Sequence, residues 1–249
     1  MNATTQLSPD LSAGLANLLG VVGDNKYSLG MHLSSWSVGT PGLESAVACA
    51  AIAQAHLGQS RAVFPLANDL AGEGVELGPP DERERQYRMS CLDEPFDTWG
   101  QAVATLYLVD PALDIVLRAL SGLSDELARR VARILDESHF NADFARGRVV
   151  ELTTRWPAGR DQLQAHLPRI VTEVLCWFGP TGEPGVEALR DAGILTLDND
   201  GMRSAWLDAV MPLLVEHGYD VGVTGEPGAW QMPDLPWDAW NGLQRRVEG

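Results

Sequence analysis

The sequence predicts an all-α protein, a four-helix bundle with a helical C-terminal extension. Three observations carry that expectation. Four long stretches between about residues 8 and 155 repeat apolar residues at helical spacing. Segments rich in Pro and Gly separate the stretches, and no β-hairpin signal of note intervenes. Beyond about residue 156 the pattern continues as shorter helical stretches. Residues 1–249 are read as a single domain, with the core bundle at about 8–155 and the extension at about 156–249.

In chain order, "SPDL" supplies Ser8 as an N-cap and Pro9 in the first turn, so a helix starts there and runs towards "HLSSWS". "VGTPG" breaks it, and "LESAVACAAIAQAHLGQSRAVFPLA" forms the second helix. "AGEGVELGPP" reads as a loop and "DERERQYRMS" as a short solvated helix. "FDTWGQAVATLYLVDPALDIVLRAL" is the third long helix, with a kink expected at Pro111. "SDELARRVARILDESHFNADFARGRVVEL" is the fourth, capped by Ser124 with acids in its first turn. Residues 161–178 and 199–217 read as shorter helices, separated by "FGPTGEPGVEALRDAGI". The tail holds three of the eight tryptophans, Trp230, Trp237 and Trp240, among prolines. Such large aromatic groups are expected as anchors of an interface.

Composition narrows the function classes. A hydrophobic content of 45% with 21% charged residues is that of a globular protein. The net charge of −16, from 34 acids against 18 bases, argues against nucleic acid as a partner. No basic leader or long apolar run is seen, so a soluble cytoplasmic protein with no membrane partner is expected. Cys49, Cys91 and Cys176 are scattered, without a C-x-x-C, and are expected to be small buried residues. No phosphate loop or nucleophile elbow is present in the sequence.

The fourth helix carries Asp136-x-x-His139, the spacing at which Glu-x-x-His pairs hold iron in ferritin-like bundles. At about 100° per residue, Glu137 lies within about 60° of Ile134, Phe140, Asn141 and Phe144, and is expected to face the core. His139 lies about 160° away from Glu137, so the visible pair is expected to be a surface coincidence. On the third helix Asp110 aligns with Val103, Leu106, Leu113 and Leu117 and also points inward. Buried carboxylates need a cation, a proton or a metal. His32 is the nearest inward partner that the first helix offers.

Several stretches carry a family resemblance: "VVGDNKYSLGMHLSSW", "AAIAQAHLGQSRAVFPLA", "DERERQYRMSCLDEPFDTWGQAVATLYLVD", "FARGRVVELT" and "DAGI…RSAWLDAVMPLLVE", over roughly residues 20–215. They resemble the ferritin-like subunits of the bacterial phenylacetyl-CoA ring epoxidase, and most closely the non-catalytic partner of its di-iron subunit. The resemblance implies six ligand places, falling on Ser35, Ala55, Gly58, Asp110, Glu137 and Phe140. Four of these cannot ligate iron, so the resemblance implies a vestigial site with no metal or catalytic residue. Ala55 shares its helical stripe with Ala48, Ala51, Ile52, Ala62 and Leu66, which reads as packing; a one-residue change of register would turn His56 inward instead.

The function that the resemblance implies is structural support of a di-iron epoxidase or monooxygenase acting on an aromatic acyl-CoA. No cofactor is expected in this chain. The partners implied are a ligand-complete di-iron homologous subunit and a reductase with flavin, iron–sulfur and NADPH. An independent ferritin-like oxygenase with a divergent metal site, or a helical scaffold or binding protein, are the alternatives.

Overall fold

The architecture is that of a computed structural model, which describes residues 7–71, 87–121 and 125–248, apart from the side chain of Glu126. Seven α-helices are present among the described residues: α1 Pro9–Trp36, α2 Leu43–Ala71, α3 Trp99–Ala119, α4 Asp125–Arg155, α5 Pro157–Trp177, α6 Pro184–Asp191 and α7 Asn199–Glu216. The expected loop at 72–80, most of the helix expected in "DERERQYRMS" and the Ser124 cap lie outside the described residues.

The first hairpin forms as its sequence dictates. Ser8 Oγ accepts from Leu11 N at 3.3 Å, with Pro9 in the first turn. A six-residue turn then returns the chain as α2, and the two helices pack along their lengths. Gly23 and Gly30 allow this: a Cβ at Gly23 would lie 2.6 Å from the Phe64 ring, and one at Gly30 would lie 3.0 Å from Leu57. A long crossover leads to α3, whose Thr98 cap accepts from Gln101 N at 3.1 Å. The middle of α1 holds the end of that crossover. Asp24 Oδ2 accepts from Tyr87 N at 3.0 Å, and Asn25 Oδ1 from Met89 N at 2.8 Å. Residues 87–89 of the expected helix have no regular structure, and Ser90–Leu92 form a 3-10 turn.

α3 and α4 make the second hairpin, and the four long helices close a ring in the order α1, α2, α4, α3. α5 packs on α3 and α4, and α7 on α3, so α3 is buried on almost every side. The helix continues through Pro111. Tyr107 Oη donates to Val210 O at 2.6 Å and Trp206 Nε1 to Leu108 O at 2.9 Å, tying α7 to its back. The all-α class is therefore observed, with two corrections in the extension. "PGVEALRD" forms α6 where a Pro/Gly spacer was expected, Pro184 occupying the first turn. Trp240–Asn241 and Arg246–Val247 pair as a small antiparallel β1–β2 ladder, a feature too short for sequence periodicity to reveal.

The tail is folded onto its own chain. Arg245, at φ 52°, is buried and donates to Trp177 O and Glu183 Oε1, each at 3.0 Å, and to Phe178 O. These carbonyls end α5, so the guanidinium sits where a cation is favoured by the helix dipole. Arg203 reinforces the same end through Gly179 O. No helix among the described residues is long and apolar enough to cross a membrane.

Candidate functional site

The most unusual chemistry lies in the middle of the bundle, where all four ring helices place polar side chains. On α1, Val22, Lys26, Leu29 and Leu33 follow one stripe, and Lys26 is fully buried. Its Nζ lies 3.1 Å from Asp110 Oδ1 and 3.1 Å from Asp114 Oδ1, two carboxylates one turn apart on α3. Ser138 Oγ of α4 donates to the same Asp114 oxygen at 3.1 Å. From α2, His56 presents Nε2 at 3.7 Å from Asp110 Oδ1, too far for a good hydrogen bond. Gln59 stands one turn beyond His56, and Asn141 one turn beyond Ser138, both buried.

The charge states follow from burial and proximity. Burial lowers the pKa of Lys26, but Asp110 and Asp114 outweigh it and hold the pKa above its ordinary value. Burial drives His56 well below its ordinary pKa, and the Lys26 charge adds to that, so its imidazole is neutral at pH 7. Burial raises Asp114, opposed by Lys26 and assisted by the repulsion of Asp110. Among the described residues, neither ring nitrogen of His56 has a hydrogen-bond partner, nor have Gln59 Oε1 and Asn141 Nδ2.

This donor set does not fit a di-iron pair. Two irons in a bundle take carboxylates from all four helices and two imidazoles. Here a fixed ammonium stands between the two carboxylates that the described residues bring to the cluster, α2 gives one imidazole and α4 gives a hydroxyl and an amide. Among the described residues no three His, Cys, Asp or Glu side chains are grouped to hold a metal. What the arrangement can do is join α1 to α3 by charge, with Ser138 of α4 hydrogen-bonded to Asp114. With Lys26 and His56 both fully buried, it offers no exposed nucleophile or base.

The structure redistributes the positions expected from the sequence. Asp110 is inward, and its cation is Lys26 rather than His32, which instead meets Leu92 O at 2.9 Å. Glu137 and Phe140 are corrections: both are exposed, because the inward line of α4 runs through Ile134, Ser138, Asn141, Ala145 and Val149. Glu137 pairs on the surface with Arg133, Nε to Oε1, at 3.1 Å. Ser35 and Gly58 are exposed and Ala55 half-buried, since α2 turns Ile52, His56, Gln59 and Val63 inward. The six expected places are thus not brought together, and on α2 it is His56 that faces inward. Asp136 and His139 are both exposed, as expected of a surface coincidence.

Sequence reasoning missed Lys26, Asp114 and Ser138. Lys26 sits four residues after Val22 on an apolar stripe, and Asp114 four after Asp110; a cation and two acids on inward stripes were the available signal. The three cysteines are buried, and burial raises Cys49 and Cys176 to about 11 each. Trp230, Trp237 and Trp240 are half-buried within the chain. Trp230 Nε1 donates to Asp208 Oδ1 at 2.8 Å, Trp237 and Trp240 meet edge to face at 6.4 Å, and Arg203 and Arg245 lie over the two rings.

Two comparisons with known proteins bear on this site. The profile of a family described as "Phenylacetic acid catabolic protein" matches residues 1–230. A subunit of the 1,2-phenylacetyl-CoA epoxidase of Escherichia coli (strain K12) is 30% identical over 188 residues, covering 74% of this chain and 75% of that protein.

Proposed function

Because this chain belongs to the phenylacetic acid catabolic protein family, we propose that it is the structural, non-catalytic subunit of a multicomponent epoxidase acting on an aromatic acyl-CoA of the phenylacetyl-CoA kind. One observation carries the proposal: the Lys26 ammonium between Asp110 and Asp114 fills the centre of the bundle with a permanent cation. A side chain of this kind satisfies buried carboxylates without any redox chemistry. In this reading the oxygen chemistry takes place on the iron-bearing homologous subunit, and a reductase with flavin and iron–sulfur groups supplies electrons from NADPH. This chain gives the bundle against which the iron-bearing subunit is held. The cytoplasm is the compartment that suits three reduced, buried cysteines.

The test is to purify the chain alone and co-expressed with a homologous subunit that keeps both Glu-x-x-His motifs. Anaerobic loading with Fe²⁺ should leave the isolated chain without stoichiometric iron, while the complex binds iron and consumes O₂ in response to an aromatic acyl-CoA. Close to two irons on the isolated chain would sink the proposal and favour the independent oxygenase. A stable monomer that ignores the homologue at micromolar concentration would favour the stand-alone scaffold.

A further inference from the structure

Four polar atoms near the centre of the bundle have no partner among the described residues: both ring nitrogens of His56, Oε1 of Gln59 and Nδ2 of Asn141. All three side chains belong to residues no more than 2% exposed. Gln59 stands one turn beyond His56 on α2, and its Nε2 is 3.5 Å from Ile134 O of α4. Farther along, Arg148 of α4 donates to Ser45 of α2 at 3.3 Å. The two helices therefore run antiparallel, with His56 level with Ser138 and Asn141 about one turn away. On the outer side of Gln59 a groove of about 390 Å³ opens between α2 and α4, with Gly58, Ala62 and Ile134 in its walls. A surface opening thus ends on a buried amide whose oxygen is unpaired, with an unpaired imidazole one turn behind it.

We infer that this groove is the mouth of a short file of bound water, which starts on Gln59 Oε1 and ends on the His56 ring. The chemistry of the four atoms selects water. A neutral imidazole donates from one nitrogen and accepts at the other, so with Gln59 Oε1 and Asn141 Nδ2 the site presents two donors and two acceptors. A cation there would meet the repulsion of the Lys26 ammonium, and an anion that of Asp110, whose Oδ1 is 3.7 Å from His56 Nε2. A small neutral molecule that both donates and accepts meets neither. Polar buried sites with roughly two to four partners are where internal water binds. Leaving the four atoms bare costs more than immobilising the water that satisfies them. The file stops at the imidazole, because Lys26 already engages Oδ1 of both Asp110 and Asp114. His56 thereby exchanges its ring proton with solvent although it has no exposed surface.

Water itself is the probe. In the wild-type chain the carbon-bound ring protons of His56, identified by their loss in His56→Asn, should show rotating-frame cross-peaks to water. Relaxation dispersion of the solvent oxygen should report long-lived internal water. Gln59→Leu removes the acceptor at similar volume, and should lose the cross-peaks at His56 and lower the dispersion amplitude. Gly58→Trp plugs the mouth, at a position where a Cβ meets nothing within 4 Å. It should keep the cross-peaks and lengthen the residence time of the water at least about tenfold, since exchange then requires local opening of the helices. Urea unfolding checks that both variants are folded; should Gln59→Leu fail, the wild type and Gly58→Trp still decide. A wild-type His56 ring without water cross-peaks would overturn the file, as would cross-peaks that survive Gln59→Leu. A residence time unchanged by Gly58→Trp would overturn the groove as its mouth.

Discussion

The ammonium of Lys26 on α1 lies 3.1 Å from Oδ1 of Asp110 on α3, with neither side chain open to water. α1 and α3 touch only modestly elsewhere, so this contact joins the two hairpins of the bundle by charge as well as by apolar packing. The energetic asymmetry of such pairs decides what substitutions do: removing one partner leaves an uncompensated charge, whereas removing all of them leaves an apolar core.

Lys26→Met should therefore cost about 3–5 kcal/mol in urea unfolding, the range for breaking a buried ion pair. Adding Asp110→Asn and Asp114→Asn to it should recover most of that loss, because the amides carry no charge. A Lys26→Met chain as stable as wild type would mean that water reaches the carboxylates.

His56 gives the chain a pH dependence with a definite sign. Its folded pKa is lowered well below the ordinary 6.5, so below that pH the unfolded chain binds a proton that the folded chain refuses. Stability then rises with pH up to about 6.5 and is lost as pH falls, by about 1.4 kcal/mol per pH unit from this residue. His56→Asn should flatten the wild-type curve by that slope between pH 6.5 and 5. Parallel curves for the two chains would contradict a neutral buried imidazole.

Glu137→Gln should change stability by less than about 0.5 kcal/mol, since its ion-pair partner is the exposed Arg133 one turn away. Chemical denaturation at low and high salt is the measurement. A loss of several kcal/mol would return Glu137 to the core.

Arg245→Met should free the C-terminal ladder. The change removes the guanidinium from Trp177 O, Phe178 O and Glu183 and leaves Arg203 as the cation at the end of α5. Limited proteolysis should then cut the chain beyond Glu216, while α1–α4 resist. Equal resistance of the tail in both chains would show that the half-buried tryptophans suffice to hold it.

The centre of the bundle is legible in the sequence only in part. Asp110 reads as inward because it shares a stripe with Val103, Leu106, Leu113 and Leu117 on a helix whose other faces are buried as well. On α4 the stripe is ambiguous: Phe140 and Phe144 pull the apparent apolar direction towards Glu137, while the buried line runs through the polar Ser138 and Asn141. Composition-weighted periodicity cannot see a buried polar residue that is satisfied by a neighbour on another helix.

By itself the sequence determined the all-α class, the start of α1 at Ser8 and Pro9, the α3 carboxylate and the family, because these depend on local capping, helical period and residue order. The tertiary structure alone decided that Lys26 is buried, that His56 and not Ala55 faces the centre, and that the tryptophan tail closes on α5 through Arg245. Each of those depends on a partner distant in sequence: a lysine is inside only where two carboxylates meet it, and a helix's inward face is fixed by the neighbours that cover it, not by its own residues.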